Sequence, residues 1–124
     1  MHKVSLAIFL GAFSFAAAAH VDCNNALTTD EINTCARVDL SKAEARLYVA
    51  YKRALKVAAH TSATARSSLV LAQAAWVKYR AHDCVAVRSM YDGGHEAPIY
   101  FNSCMASHTV KRASELEEFS DAFD

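Results

Sequence analysis

Beyond residue 19 the chain contains two glycines and one proline, and all three fall within Gly93–Pro98. These are the residues that most readily interrupt a helix, glycine through backbone entropy and proline through its missing N–H. Confining them to one short stretch leaves the rest of the chain free to run as long helices. Alanine, the strongest helix former, is also the commonest residue. The expectation is an all-α domain. An apolar content of 53% excludes a disordered chain, and the balance of 13 Lys and Arg against 13 Asp and Glu gives no general attraction to nucleic acid or to an anionic membrane.

The apolar spacing predicts three helices. Thr28-Thr29-Asp30-Glu31 supplies a hydroxyl cap with acids in the first turn. From there Leu40, Ala43, Leu47, Ala50, Tyr51, Ala54 and Ala58 mostly step by three or four, so a first helix runs to about His60. The polar stretch Thr61–Ser68 reads as a connection. A second helix carries Leu69, Ala72, Trp76, Tyr79, Cys84 and Val87 on one face. The loop Asp92–Ala97 ends it, and Pro98 opens a third helix that frays beyond Phe119. Short connections make this an up-down-up three-helix bundle.

Residues 1–19 read as a cleaved signal peptide. Lys3 precedes an apolar run too short for a comfortable membrane span, and Ala17 and Ala19 are the small residues that signal peptidase needs. The domain expected to remain, residues 20–124, has no membrane anchor and is periplasmic or secreted. All four cysteines (Cys23, Cys35, Cys84 and Cys104) lie beyond the leader in a chain bound for an oxidising compartment, so two disulfides are expected. Three pairings are possible from the sequence. The helix layout favours Cys23 with Cys35 and Cys84 with Cys104, because antiparallel packing brings the end of the second helix level with the start of the third.

No catalytic constellation is visible: no serine has a recognisable base or elbow around it, and neither a metal site nor a cofactor is expected. Gln73, Trp76, Arg80 and Asp83 share one helical stripe. Their expected role is structural, with Trp76 and Tyr79 in the core, Arg80 paired with a carboxylate such as Asp83 or Glu44, and Gln73 satisfying a neighbour. The better binding candidate is the loop Tyr91-Asp92-Gly93-Gly94-His95-Glu96, where the glycines permit positive φ and the flanking side chains offer a ring, two carboxylates and an imidazole. The acids Glu115, Glu117, Glu118, Asp121 and Asp124 oppose the macrodipole at a helix C-terminus, so this run reads as a frayed tail or a patch that steers a basic partner.

The run Ala72-Gln73-Ala74-Ala75-Trp76-Val77-Lys78-Tyr79-Arg80-Ala81-His82-Asp83-Cys84 resembles the signature of the lysozyme inhibitor LprI-like N-terminal domain family. Ala43-Glu44, Leu47 and Tyr51 upstream are similar to that family's first helix. Gly93-Gly94, Pro98, Tyr100, Cys104, Thr109, Arg112 and Leu116 downstream are similar to its ending. Here Ala74 stands where the family has Arg, Glu44 for Asp, Tyr48 for Asn and His95 for Ser. The resemblance implies an exported binding protein without enzymatic activity, whose protein partner is a lysozyme blocked sterically at its substrate cleft. The alternative is an envelope structural, stress or immunity protein that binds another envelope or toxin protein.

Overall fold

The computed structural model describes residues 20–124, and the leader read over residues 1–19 lies outside the described residues. Three helices follow in order: α1 (Thr29–Thr61), α2 (Ala63–Ser89) and α3 (Ala97–Phe123). Thr28 starts α1 with a capping box: its hydroxyl accepts from Glu31 N at 3.2 Å, while the Glu31 carboxylate accepts from Thr28 N at 3.0 Å.

The first connection is a single residue. Ser62 has extended backbone (φ −167°, ψ 138°), donates its own N–H to Ala58 O, and accepts from Thr64 N and Ala65 N. It therefore ends one helix and caps the next, a role that contributes about 1 kcal/mol. The expected connection over residues 61–68 is helical for most of its length. Its hydroxyls turn back onto the helix instead of opposing it, Thr61 Oγ1 bonding Val57 O at 3.1 Å and Ser67 Oγ bonding Ala63 O at 3.0 Å.

Side-chain pairs fix the register. Asn33 meets Asn102, Arg46 meets Glu117 and Arg53 meets Asp124, at separations of 69, 71 and 71 residues, so α1 and α3 run parallel. Against them α2 runs antiparallel, Gln73 meeting Arg112 and Arg80 meeting Thr109. The core is narrow. Leu47, Ala50 and Ala54 of α1 pack on Ala113 and Leu116 of α3, with Tyr51, Leu69, Trp76 and Phe119 closing over them. Alanines at the seam let the two parallel helices approach closely, and α2 lies across them with only Gln73 and Cys84 buried. Tyr79 and Ala72, expected inside, are exposed, as is Val110 on α3. The inward face of α2 is centred on Leu69, Gln73, Trp76 and Arg80, where the helix meets the groove between α1 and α3.

Both disulfides form as the layout favoured, Cys23 with Cys35 and Cys84 with Cys104. The second joins α2 to α3 inside the bundle, where Cys84 is fully buried.

The acidic end of α3 is helical through Phe123 rather than frayed. Arg46 binds the Glu117 carboxylate, with Nε to Oε1 at 2.8 Å, and Arg53 holds Asp121 at 2.6 Å and Asp124 at 2.8 Å. Arginines on α1 thus offset the unfavourable macrodipole. The hydrogen bonds from Arg46 and Arg53 hold Glu117 and Asp124 below the ordinary carboxylate range. A carboxylate depressed in the folded state adds stability that is present above its unfolded pKa and is lost as pH falls through the folded value. Amide exchange protection over residues 117–123 is therefore expected to fall as the pH drops below about 4, while protection at Ala113 persists. Uniform loss along α3 would show that the arginine pairs do not hold this end.

Candidate functional site

The loop between α2 and α3 is built as three successive tight turns. Tyr91 N bonds Arg88 O at 2.9 Å, Gly94 N bonds Tyr91 O at 3.0 Å, and Ala97 N bonds Gly94 O at 3.3 Å. Gly93 has φ +86°, the left-handed region that glycine enters without a side-chain penalty. Gly94 carries no such requirement: a Cβ there would stand 2.7 Å from the Glu96 carboxylate, the end of an exposed side chain that can swing aside. Glu96 and Pro98 then open α3, with Pro98 in the first turn where its missing N–H costs nothing.

Asp92, His95 and Glu96 are exposed on this frame. Tyr91 is not presented to solvent as expected. Its ring is half-buried and stacks on Tyr100, with centroids 3.6 Å apart and planes 9° from parallel. Donation of its O–H to Tyr100 is the main cause that raises the Tyr91 phenol above its ordinary value. The two tyrosines flank the loop, and the Cys84–Cys104 bridge ties the helices that carry them. The result is a short, acid-rich projection with both ends pinned.

The α2 stripe is an interhelical polar seam. Arg80 lies over the Trp76 ring at 4.9 Å, donates to Thr109 Oγ1 at 2.6 Å and meets Glu44 at 3.4 Å. Its carboxylate partner is Glu44, because Asp83 is taken by His108 at 2.6 Å. Arg112 donates to Gln73 at 2.9 Å and to Glu115 at 2.8 Å. Tyr79 stands outside the core with its ring edge-on to His108, centroids 5.4 Å apart. Trp76, Gln73 and Arg80 thus each meet a partner across or along the seam. The roles of Thr109, His108 and Tyr100 come from a different helix and were not legible beforehand. Thr109 is fully buried, and its hydroxyl donates to Met105 O at 2.6 Å.

Asp83, Cys84, Cys104 and His108 bring potential metal-ligand atoms within 4.8 Å of one another, and Cys104 and His108 have the four-residue spacing that puts two ligands on one helical face. Their chemistry here is a crosslink, since both sulfurs are spent in the disulfide.

Comparisons with known proteins agree with this architecture. The family described as "Lysozyme inhibitor LprI" matches residues 22–116. An uncharacterized protein of Rhizobium meliloti (strain 1021) is 30% identical over 111 residues, covering 82% of this chain and 80% of that one. The crystal structure of a DUF1311-family protein from Pseudomonas putida KT2440 superposes with a TM-score of 0.68 at 25% identity, covering 75% of this chain and 94% of that one. With both cysteine bridges, the glycine loop, α1, α2 and most of α3 inside the matched span, the chain belongs to the lysozyme inhibitor LprI family.

Proposed function

We propose that the protein is exported to the periplasm or the cell exterior and binds a lysozyme there, blocking the substrate cleft with the Tyr91–Glu96 loop. The observation that carries this reading is a pinned projection: exposed Asp92, His95 and Glu96 on a frame fixed by Gly93, the stacked Tyr91–Tyr100 pair and the Cys84–Cys104 bridge. A loop ordered before binding loses little conformational entropy on docking, so its contacts appear as affinity. Two disulfides fit an oxidising compartment. Inhibition is steric, and the protein performs no chemistry on the enzyme or on the cell wall.

The acidic run on α3 steers less than its composition suggests. Glu115, Glu117, Asp121 and Asp124 are each paired with an arginine, so their fields are largely cancelled at a distance. Glu118, exposed and without an arginine partner among the described residues, and the loop acids Asp92 and Glu96 remain as negative charge that a basic enzyme can meet.

Replacing Asp92, His95 and Glu96 together by alanine is expected to abolish slowing of cell-wall lysis by lysozyme, with the circular dichroism spectrum unchanged. Glycine replacements at Tyr91 and Tyr100 should weaken inhibition through loss of the frame. The absence of inhibition by the intact, fully oxidised protein at micromolar concentration, across lysozyme classes, would refute the reading.

A further inference from the structure

The outer side of α2 has no role in the loop or in the polar seam. Val70, Ala74, Val77, Ala81 and Val85 follow one another at steps of four, three, four and four residues, and all five are exposed. Leu71 stands beside them, 71% exposed. This is the seam spacing by which one helix packs on another. The unpaired charges that α2 itself carries have one sign. Asp83 is the only acid of α2 and is paired with His108, whereas Arg66, Lys78 and Arg88 are exposed and, among the described residues, make no ion pair.

These observations select among occupants. A second copy presenting the same stripe would oppose basic rim to basic rim, and a basic lysozyme would meet the same repulsion. A bilayer is matched best by a face rich in Leu, Phe or Trp. Valine alternating with alanine instead leaves a shallow channel that admits a close neighbouring helix. We propose that the outer stripe of α2 docks an amphipathic helix of a partner protein whose apolar seam is flanked by Asp and Glu. The site is separate from the loop, so either assignment can fail without the other.

Two synthetic helical peptides with the same Leu and Ala seam, one flanked by Glu and the other by Lys, would be titrated into the isotope-labelled protein at low salt with both disulfides intact. The Glu-flanked peptide is expected to shift the amide signals of residues 70–88 and to bind at least about tenfold more tightly than the Lys-flanked one. Val77→Glu with Ala81→Glu, both at exposed positions, should weaken it by at least about tenfold at an unchanged melting temperature. Should that variant lose helix, Lys78→Glu with Arg88→Glu decides the matter, because reversing the rim should invert the peptide preference. The proposal is overturned by equal affinity for the two peptides, by shifts that map elsewhere, or by no saturable binding at millimolar peptide. Phosphatidylglycerol vesicles perturbing these residues when the peptide does not, or a concentration-dependent dimer that buries the stripe, would overturn it equally.

Discussion

Replacing Cys84 and Cys104 by alanine is expected to lower stability by roughly 3 kcal/mol, the scale for releasing a loop of this length. The bridge spans 20 residues and closes the α2–loop–α3 hairpin, so breaking it restores to the unfolded chain much of the freedom that the glycine loop allows. A second contribution comes from packing. Cys84 is among the largest fully buried side chains, beside Leu116, Thr109 and Ser120, which means the crosslink is itself part of a core poor in large residues. For a domain of about one hundred residues the change corresponds to a drop of about 10 to 20 °C in melting temperature. The Cys23–Cys35 bridge makes the contrast. It spans 12 residues at an exposed N-terminal turn, so the corresponding double alanine variant should lose less. Guanidinium unfolding of the two variants side by side checks the ranking, and equal losses would show that the hairpin is not the part that the bridges stabilise.

The helices were legible because the information that makes them is local. The cap at Thr28 and the glycine break at 93–94 act within a turn, and the start of α1 and the break between α2 and α3 follow from them. The start of α2 was not legible for a related reason. Small hydroxyl residues at 61–68 favour loops on average, yet each hydroxyl can also bond the carbonyl one turn back, and the choice depends on Ser62 finding two free N–H groups. The direction of α2 against the groove was equally hidden. Val77 and Tyr79 are as apolar as Leu69 and Trp76, so periodicity alone could not decide which of them faces inward.

The site divides along the same line. That Gln73, Arg80 and Asp83 share a face follows from helical spacing, but their partners Arg112, Thr109 and His108 lie 39, 29 and 25 residues away and are chosen by packing. Charge at the C-terminus shows the effect most plainly. As a sequence, the acids of α3 oppose their own helix dipole; in the bundle, the parallel packing of α1 places Arg46 and Arg53 beside them and the last turns hold.

Trp76→Ala carries the other large expected effect, a loss of about 2 to 4 kcal/mol, somewhat less than for a fully buried tryptophan because the ring is only half-buried. Its ring packs on the cluster formed by Leu47, Ala50, Ala54, Ala113 and Leu116, and its face supports the Arg80 guanidinium that reaches Thr109 and Glu44. Removing the ring uncovers the seam between α1 and α3 and leaves Arg80, whose Nε is already buried without a partner, with less reason to stay in place. Trp76→Phe should recover the apolar cover and part of the cation–π attraction, and so most of the stability. At a temperature where the alanine variant remains folded, its affinity for lysozyme should match that of the unaltered protein, because the loop lies beyond the far end of α2 and is held there by the Tyr91–Tyr100 stack and the disulfide. Calorimetric melting of the three proteins alongside a lysis assay separates the two roles. An alanine variant that melts normally and no longer binds would move the recognition surface from the loop to the Trp76 face of α2.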